Sequence, residues 1–184
     1  MTTRTHAAPD ARSAPVTLAG VAGFALALAA AAQVAIPIPG TAVPITLQPL
    51  VVVLAGLWLG PAAGAASMVL YLAAGAAGLP VFAPVGAPGA LRLVGPTGGY
   101  LLAYPAAAFV AGRLRATARS YAARAAAAAA GMLVVYAGGL AQLAVLTGSL
   151  PAAVVQGALP FAALDAAKAL LAAALAPRRA SPLA

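Results

Sequence analysis

Leu159-Pro-Phe-Ala-Ala-Leu-Asp-Ala-Ala-Lys-Ala-Leu-Leu171 places two full charges, Asp165 and Lys168, inside a run that is otherwise apolar. Each charge at the centre of a membrane helix costs about 2.5–3.5 kcal/mol, so the pair needs a reason. The i, i+3 spacing puts both on one helix face, where they partly neutralise each other. They are then either a scaffold ion pair or part of a polar site, and intramembrane charges commonly mark a pathway or site. Outward from this run the chain is of one kind: 64% hydrophobic and 7% charged, with mean hydropathy +1.03. A soluble domain carries about a quarter charged residues. The expectation is an all-α membrane protein. At about 20 residues per crossing, 184 residues hold six transmembrane helices.

The apolar runs fall at 16–36, 45–59, 61–79, 99–112, 125–146 and 152–176, the second and fourth short for a full crossing. The first is longer than the apolar core of a signal peptide and is read as a retained helix. Residues 1–15 and 177–184 are read as tails, the first disordered, flanking one membrane domain over 16–176. With six spans, Arg4, Arg12, Arg113, Arg115, Arg119, Arg124, Arg178 and Arg179 share one side, and only Arg92 lies opposite. The positive-inside rule makes both termini cytoplasmic, in a multi-pass protein of the bacterial inner membrane. It also explains the net charge of +8 without nucleic acid, since the cations flank apolar runs rather than forming one face.

This orientation puts Gln33, Gln48, Gln142, Gln156 and Tyr100 in the outer half of the membrane, with Tyr71 nearer the midplane. A lone glutamine serves as interhelical glue as readily as ligand contact. Several at one depth, above Asp165 and Lys168, suggest a polar cavity open to the outside. The Pro/Gly-rich segment 80–98 lies on the same side. It is read as a loop without regular structure, either a plain outer connector or a lid, glycines allowing close backbone approach and prolines limiting the entropy lost on closing. Along the first span Ala19, Gly23, Ala27, Ala31 and Ala35 form a small-residue stripe, with Gly23, Ala27 and Ala31 as the expected docking face for another helix.

Catalysis is not expected. There is no cysteine, one histidine (His6, in the N-terminal tail) and two acidic residues, too few for a metal site or a catalytic triad. Gly95-Pro-Thr-Gly-Gly99 lacks the lysine of a phosphate-binding loop. No cofactor is implied, and any pumping motor must be another subunit.

Val43-Pro-Ile-Thr-Leu-Gln48, Gly60-Pro61, Leu70-Tyr-Leu72, Gly75-Ala-Ala-Gly-Leu-Pro-Val-Phe82 and Gly95-Pro-Thr-Gly-Gly-Tyr-Leu101 occur in this order. With Pro160-Phe161, Asp165, Lys168 and Ala169-Leu-Leu171, the chain resembles BioY, the biotin-specific S component of energy-coupling factor (ECF) transporters. Where the family pattern has glycine before the aspartate, this chain has Leu164. The resemblance implies a six-helix fold binding biotin near the outer surface. It also implies two kinds of partner, a transmembrane coupling protein and a pair of ATPases. It carries site roles to Gln48, Asp165 and Lys168. Asp165 is suited to accept from the ureido N–H groups of biotin and Lys168 to donate to an oxygen. Tyr71, Phe82 and Tyr100 are suited to pack the bicycle and stem. Thr97 and Gln142 complete the expected substrate-binding set, together with Arg92, which lies outside the family pattern and is included for its place in the outer loop. Two alternatives stand beside biotin capture: an S component for thiamine or riboflavin, and a structural subunit that binds no small molecule.

Overall fold

The protein is described by a computed structural model covering residues 13–177. Arg4, His6, Arg12, Arg178, Arg179 and most of both expected tails lie outside those residues. The elements run α1 (Ser13–Gln33), β1 (Ala35–Ile36), β2 (Ile45–Thr46), α2 (Gln48–Leu59), α3 (Pro61–Ala76), α4 (Leu91–Val94), α5 (Gly98–Arg115), α6 (Tyr121–Thr147), α7 (Leu150–Gly157) and α8 (Ala162–Leu175). In hydrocarbon the backbone must satisfy its own hydrogen bonds, and alanine is the best helix former, so the alanine-rich runs become helices. Their limits follow local signals. Gly60, at φ 82°, ends α2, and Pro61 opens α3 at once, because proline suits the first helical position. The hydroxyls of Ser120 and Ser149 cap α6 and α7 by accepting from the N–H groups of Ala123 and Ala152 at 3.1 and 3.3 Å.

Three features depart from the sequence reading. First, the run at 152–176 is not one helix: α7 and α8 meet at a 58° bend. Pro160 lacks an N–H and disfavours helical backbone at Leu159 before it. Second, the segment 80–98 contains regular structure, the single turn α4. Third, Ala35–Ile36 and Ile45–Thr46 leave the helices they were assigned to and pair antiparallel, Ala35 opposite Thr46 and Ile36 opposite Ile45. That ladder fixes Thr46 immediately ahead of α2.

Among the described residues, α6 is the one helix long and apolar enough to cross a membrane by itself; its 27 residues span about 40 Å. The bent pair α7–α8 passes the same test when taken together, and α1, α2 and α3 are apolar but shorter. Helix α5 packs against α6, α3 and α2 and is the centre of the bundle. Leu28, Val52, Met68, Leu101 and Val135 form the core on the cavity side, and Val53, Leu57, Ala128, Met132 and Ala172 a second cluster. Large apolar side chains also point outward from the helices, among them Leu26, Val69, Leu102, Phe109, Leu133 and Leu170. Such a surface has no favourable partner in water and a natural one in lipid.

Arg115 and Arg124, which the sequence places among the cations flanking the apolar runs, are buried. Helix ends leave carbonyls unpaired, and these arginines supply donors at the end of α8. Arg124 Nε donates to Ala173 O at 3.1 Å, and Arg115 donates to Ala118 O at 3.0 Å and to Pro177 O.

Candidate functional site

The bend between α7 and α8 builds one wall of a cavity. With Pro160 in the chain, the N–H of Phe161 bonds Ala158 O at 3.0 Å, and Gly157 O is released from the helical ladder. Tyr100 Oη donates to that carbonyl at 2.9 Å. A Cβ on Gly157 would collide with the Tyr100 hydroxyl, so glycine is required there. Phe161, at the start of α8, and Asp165 one turn later face the same space as Gly157.

The polar heart is a chain of charge-assisted bonds. Lys168 Nζ donates to Asp165 Oδ1 and to Thr46 O, both at 2.7 Å, and Tyr136 Oη donates to Asp165 Oδ2 at 2.6 Å. The ion pair is therefore tied to β2 on one side and α6 on the other. Beside it, Gln48 Nε2 donates to Tyr71 Oη at 2.8 Å. Tyr71 meets Phe82 edge to face, with centroids 5.4 Å apart.

The roof is the 80–98 segment, and Arg92 organises it. Its Nε donates to Ala87 O at 2.9 Å, its Nη2 to Ala83 O at 2.5 Å, and its Nη1 to Val85 O. Desolvation lowers the Arg92 guanidinium from its ordinary value, but arginine starts so high that it stays charged. Two glutamines hold the roof from outside the cavity. Gln142 Nε2 donates to Leu93 O at 3.0 Å and Gly95 O at 2.7 Å, and Gln33 Nε2 lies 3.4 Å from Phe82 O.

The space between these residues, open solvent at the mouth included, is about 660 Å³. Of the residues expected from sequence, Gln48, Phe82, Arg92, Thr97, Tyr100, Asp165 and Lys168 line it. Tyr71 stands behind the wall and orients Gln48. Gln142 is not on the wall; it braces the roof. Gln156 is half-buried and off the wall as well. Sequence reasoning missed Thr46, Tyr104, Tyr136 and Phe161. Tyr104 was findable, since it stands four residues from Tyr100 on the same face of α5. Among the described residues its hydroxyl has no hydrogen-bond partner, although the side chain is 3% exposed and lines the cavity.

The small-residue stripe behaves differently along its length. Gly23 and Ala27 are exposed, and a Cβ on Gly23 would meet nothing within 4 Å, but Ala31 is buried. A four-residue repeat overshoots the helical turn by about 40° per step, so the stripe winds from the surface into the core.

The BioY family model matches residues 3–183. The probable biotin transporter BioY of Pyrococcus horikoshii is 40% identical over 92 residues, 50% of this chain and 55% of that one. The match thus spans about half the length of that relative. A solved structure, the S-component for biotin from an ECF-type ABC transporter, aligns with TM-score 0.83 at 27% identity, covering 92% of this chain and 93% of that chain.

Proposed function

The chain belongs to the BioY family, and from that premise we propose that it is the membrane subunit that captures biotin for an energy-coupling factor transporter. The observation that carries this reading is the Thr46–Lys168–Asp165–Tyr136 chain, buried except at the half-buried Tyr136, on the wall of a roofed cavity. A helix bundle in lipid has no need of such a network for cohesion, since polar contacts between membrane helices contribute modestly.

The chemistry fits a ligand with a flat polar head, an apolar stem and an acid. Asp165 accepts from the ureido N–H groups, and the unspent hydroxyl of Tyr104 and the side chain of Thr97 add further polar contacts. Phe82, Tyr100 and Phe161 pack the bicycle and stem. Arg92 spends three of its five N–H donors on the roof and keeps the rest for the carboxylate, so the acid points to the lid and the ureido ring to α8. Two cations, Arg92 and Lys168, against one carboxylate, Asp165, favour an anionic ligand. That separates biotin from thiamine, which is a cation. A structural subunit would leave the Tyr104 hydroxyl without purpose.

Six crossings are α1, α2, α3, α5, α6 and the bent pair α7–α8, with α4 in the outer lid. Both termini are cytoplasmic in a bacterial inner membrane. The single substrate domain is 16–176, flanked by its tails. Turnover is driven by a coupling protein and an ATPase pair, with the exposed residues Gly23 and Ala27 of α1 as the docking face. Mass spectrometry of the ligand released from the purified protein tests the assignment. Biotin is expected, displaced by added biotin and not by thiamine or riboflavin. Release of either other vitamin would reassign the site.

A further inference from the structure

Among the described residues the only carboxylate is Asp165, and it is closed on Lys168 at 2.7 Å. At the opposite end of α8 the balance fails. Arg115 and Arg124 are 4% and 8% exposed, and near enough for their charges to repel. Among the described residues their bonds run only to carbonyls, Ala118 O, Pro177 O and Ala173 O, and Arg124 lies 6.0 Å from the Tyr121 ring centroid. Arg115 Nε is buried with no hydrogen-bond partner among the described residues. Arg119, exposed, sits in the turn between them, directly before the N-terminus of α6, whose first turn carries no acid. Helix-end carbonyls offset only about half a charge. The remaining positive charge needs an anion from outside the described residues.

The surroundings indicate which anion. Guanidinium forks match phosphate oxygens in pairs. Tyr121, Leu114 and Leu170 are exposed beside the arginines, which places an apolar surface and an aromatic ring next to the charge, as at the boundary between headgroups and acyl chains. We propose that the α5–α6 turn, through Arg115, Arg119 and Arg124, binds the phosphate of an anionic phospholipid headgroup. Basic pockets between membrane helices take such headgroups, with each arginine near the surface contributing to the preference. The site rests on the membrane placement of the chain and is independent of what fills the cavity.

The test is native mass spectrometry of the full chain with phosphatidylglycerol and phosphatidylcholine, with biotin calorimetry on the same samples. The wild-type protein is expected to retain phosphatidylglycerol about tenfold over phosphatidylcholine. Arg119→Gln, at an exposed position that caps nothing, should lower the preference several-fold without shifting the melting temperature. Arg115→Lys, which keeps charge and loses the fork, should lower it too. Biotin binding should be unchanged in both variants, so a failed lipid result is separable from a failed ligand assignment. Equal retention of the two lipids, or a preference intact in both variants, would overturn the proposal. Stabilisation and lipid displacement by millimolar inorganic phosphate would assign the site to free phosphate instead. Stabilisation by a polyglutamate peptide, with no lipid preference, would assign the arginines to an acidic protein partner.

Discussion

Asp165→Asn separates a binding role from a scaffolding one. The carboxylate receives Lys168 on Oδ1 at 2.7 Å and Tyr136 on Oδ2 at 2.6 Å, and the residue is 8% exposed. Asparagine keeps the shape but turns one acceptor into a donor and leaves Lys168 buried without its counter-ion. Breaking one partner of a buried pair costs about 3–5 kcal/mol, so the melting temperature should fall. Biotin affinity should fall at least tenfold, about 1.4 kcal/mol, because the charge that accepts ureido N–H groups is gone. Adding Lys168→Met removes the orphaned cation and should recover much of the stability, as paired apolar replacements often do. It should not recover affinity. Thermal melts and biotin calorimetry on the two single variants and the double variant complete the cycle. Stability lost and regained, with biotin affinity constant throughout, would refute the site and leave a scaffold pair.

Tyr104→Phe deletes a hydroxyl that bonds nothing among the described residues, so calorimetry should show weaker biotin binding, by about 1 kcal/mol, with the melting temperature unchanged. Tyr136→Phe removes the 2.6 Å bond to Asp165 and should lower both affinity and melting temperature. Arg92→Lys cannot hold Ala83, Val85 and Ala87 together, because an ammonium lacks the planar fork; the roof should loosen. Stopped-flow competition should then show faster biotin dissociation with little change in association. Leucine at Gly23 and Ala27 should abolish co-purification with the coupling protein while calorimetry returns normal biotin affinity.

The sequence was most legible where physics leaves few choices. Charges in an apolar run announced Asp165 and Lys168, and the Ala-rich periodic stretches became helices close to where they were expected. The break at Pro160 was signalled by the proline itself, but hydropathy averages over a turn and read through it. The partners of the ion pair were hidden for a different reason. Thr46 contributes a backbone carbonyl, which no side-chain pattern encodes, and Tyr136 approaches Asp165 across 29 positions of chain. Gln142 is half-buried rather than buried, and its amide bonds the carbonyls of Leu93 and Gly95 instead of facing the cavity. Arg115 and Arg124 were read as topology markers, and nothing in their spacing shows that they reach back to the end of α8.

The most direct test is calorimetric titration of the purified chain with biotin, in detergent and without nucleotide or partner subunits. Saturable one-to-one binding is predicted, unaffected by ATP and abolished by excess biotin already bound. No saturable heat with biotin, from protein first stripped of any bound ligand and still monodisperse and folded, would contradict biotin capture by this chain.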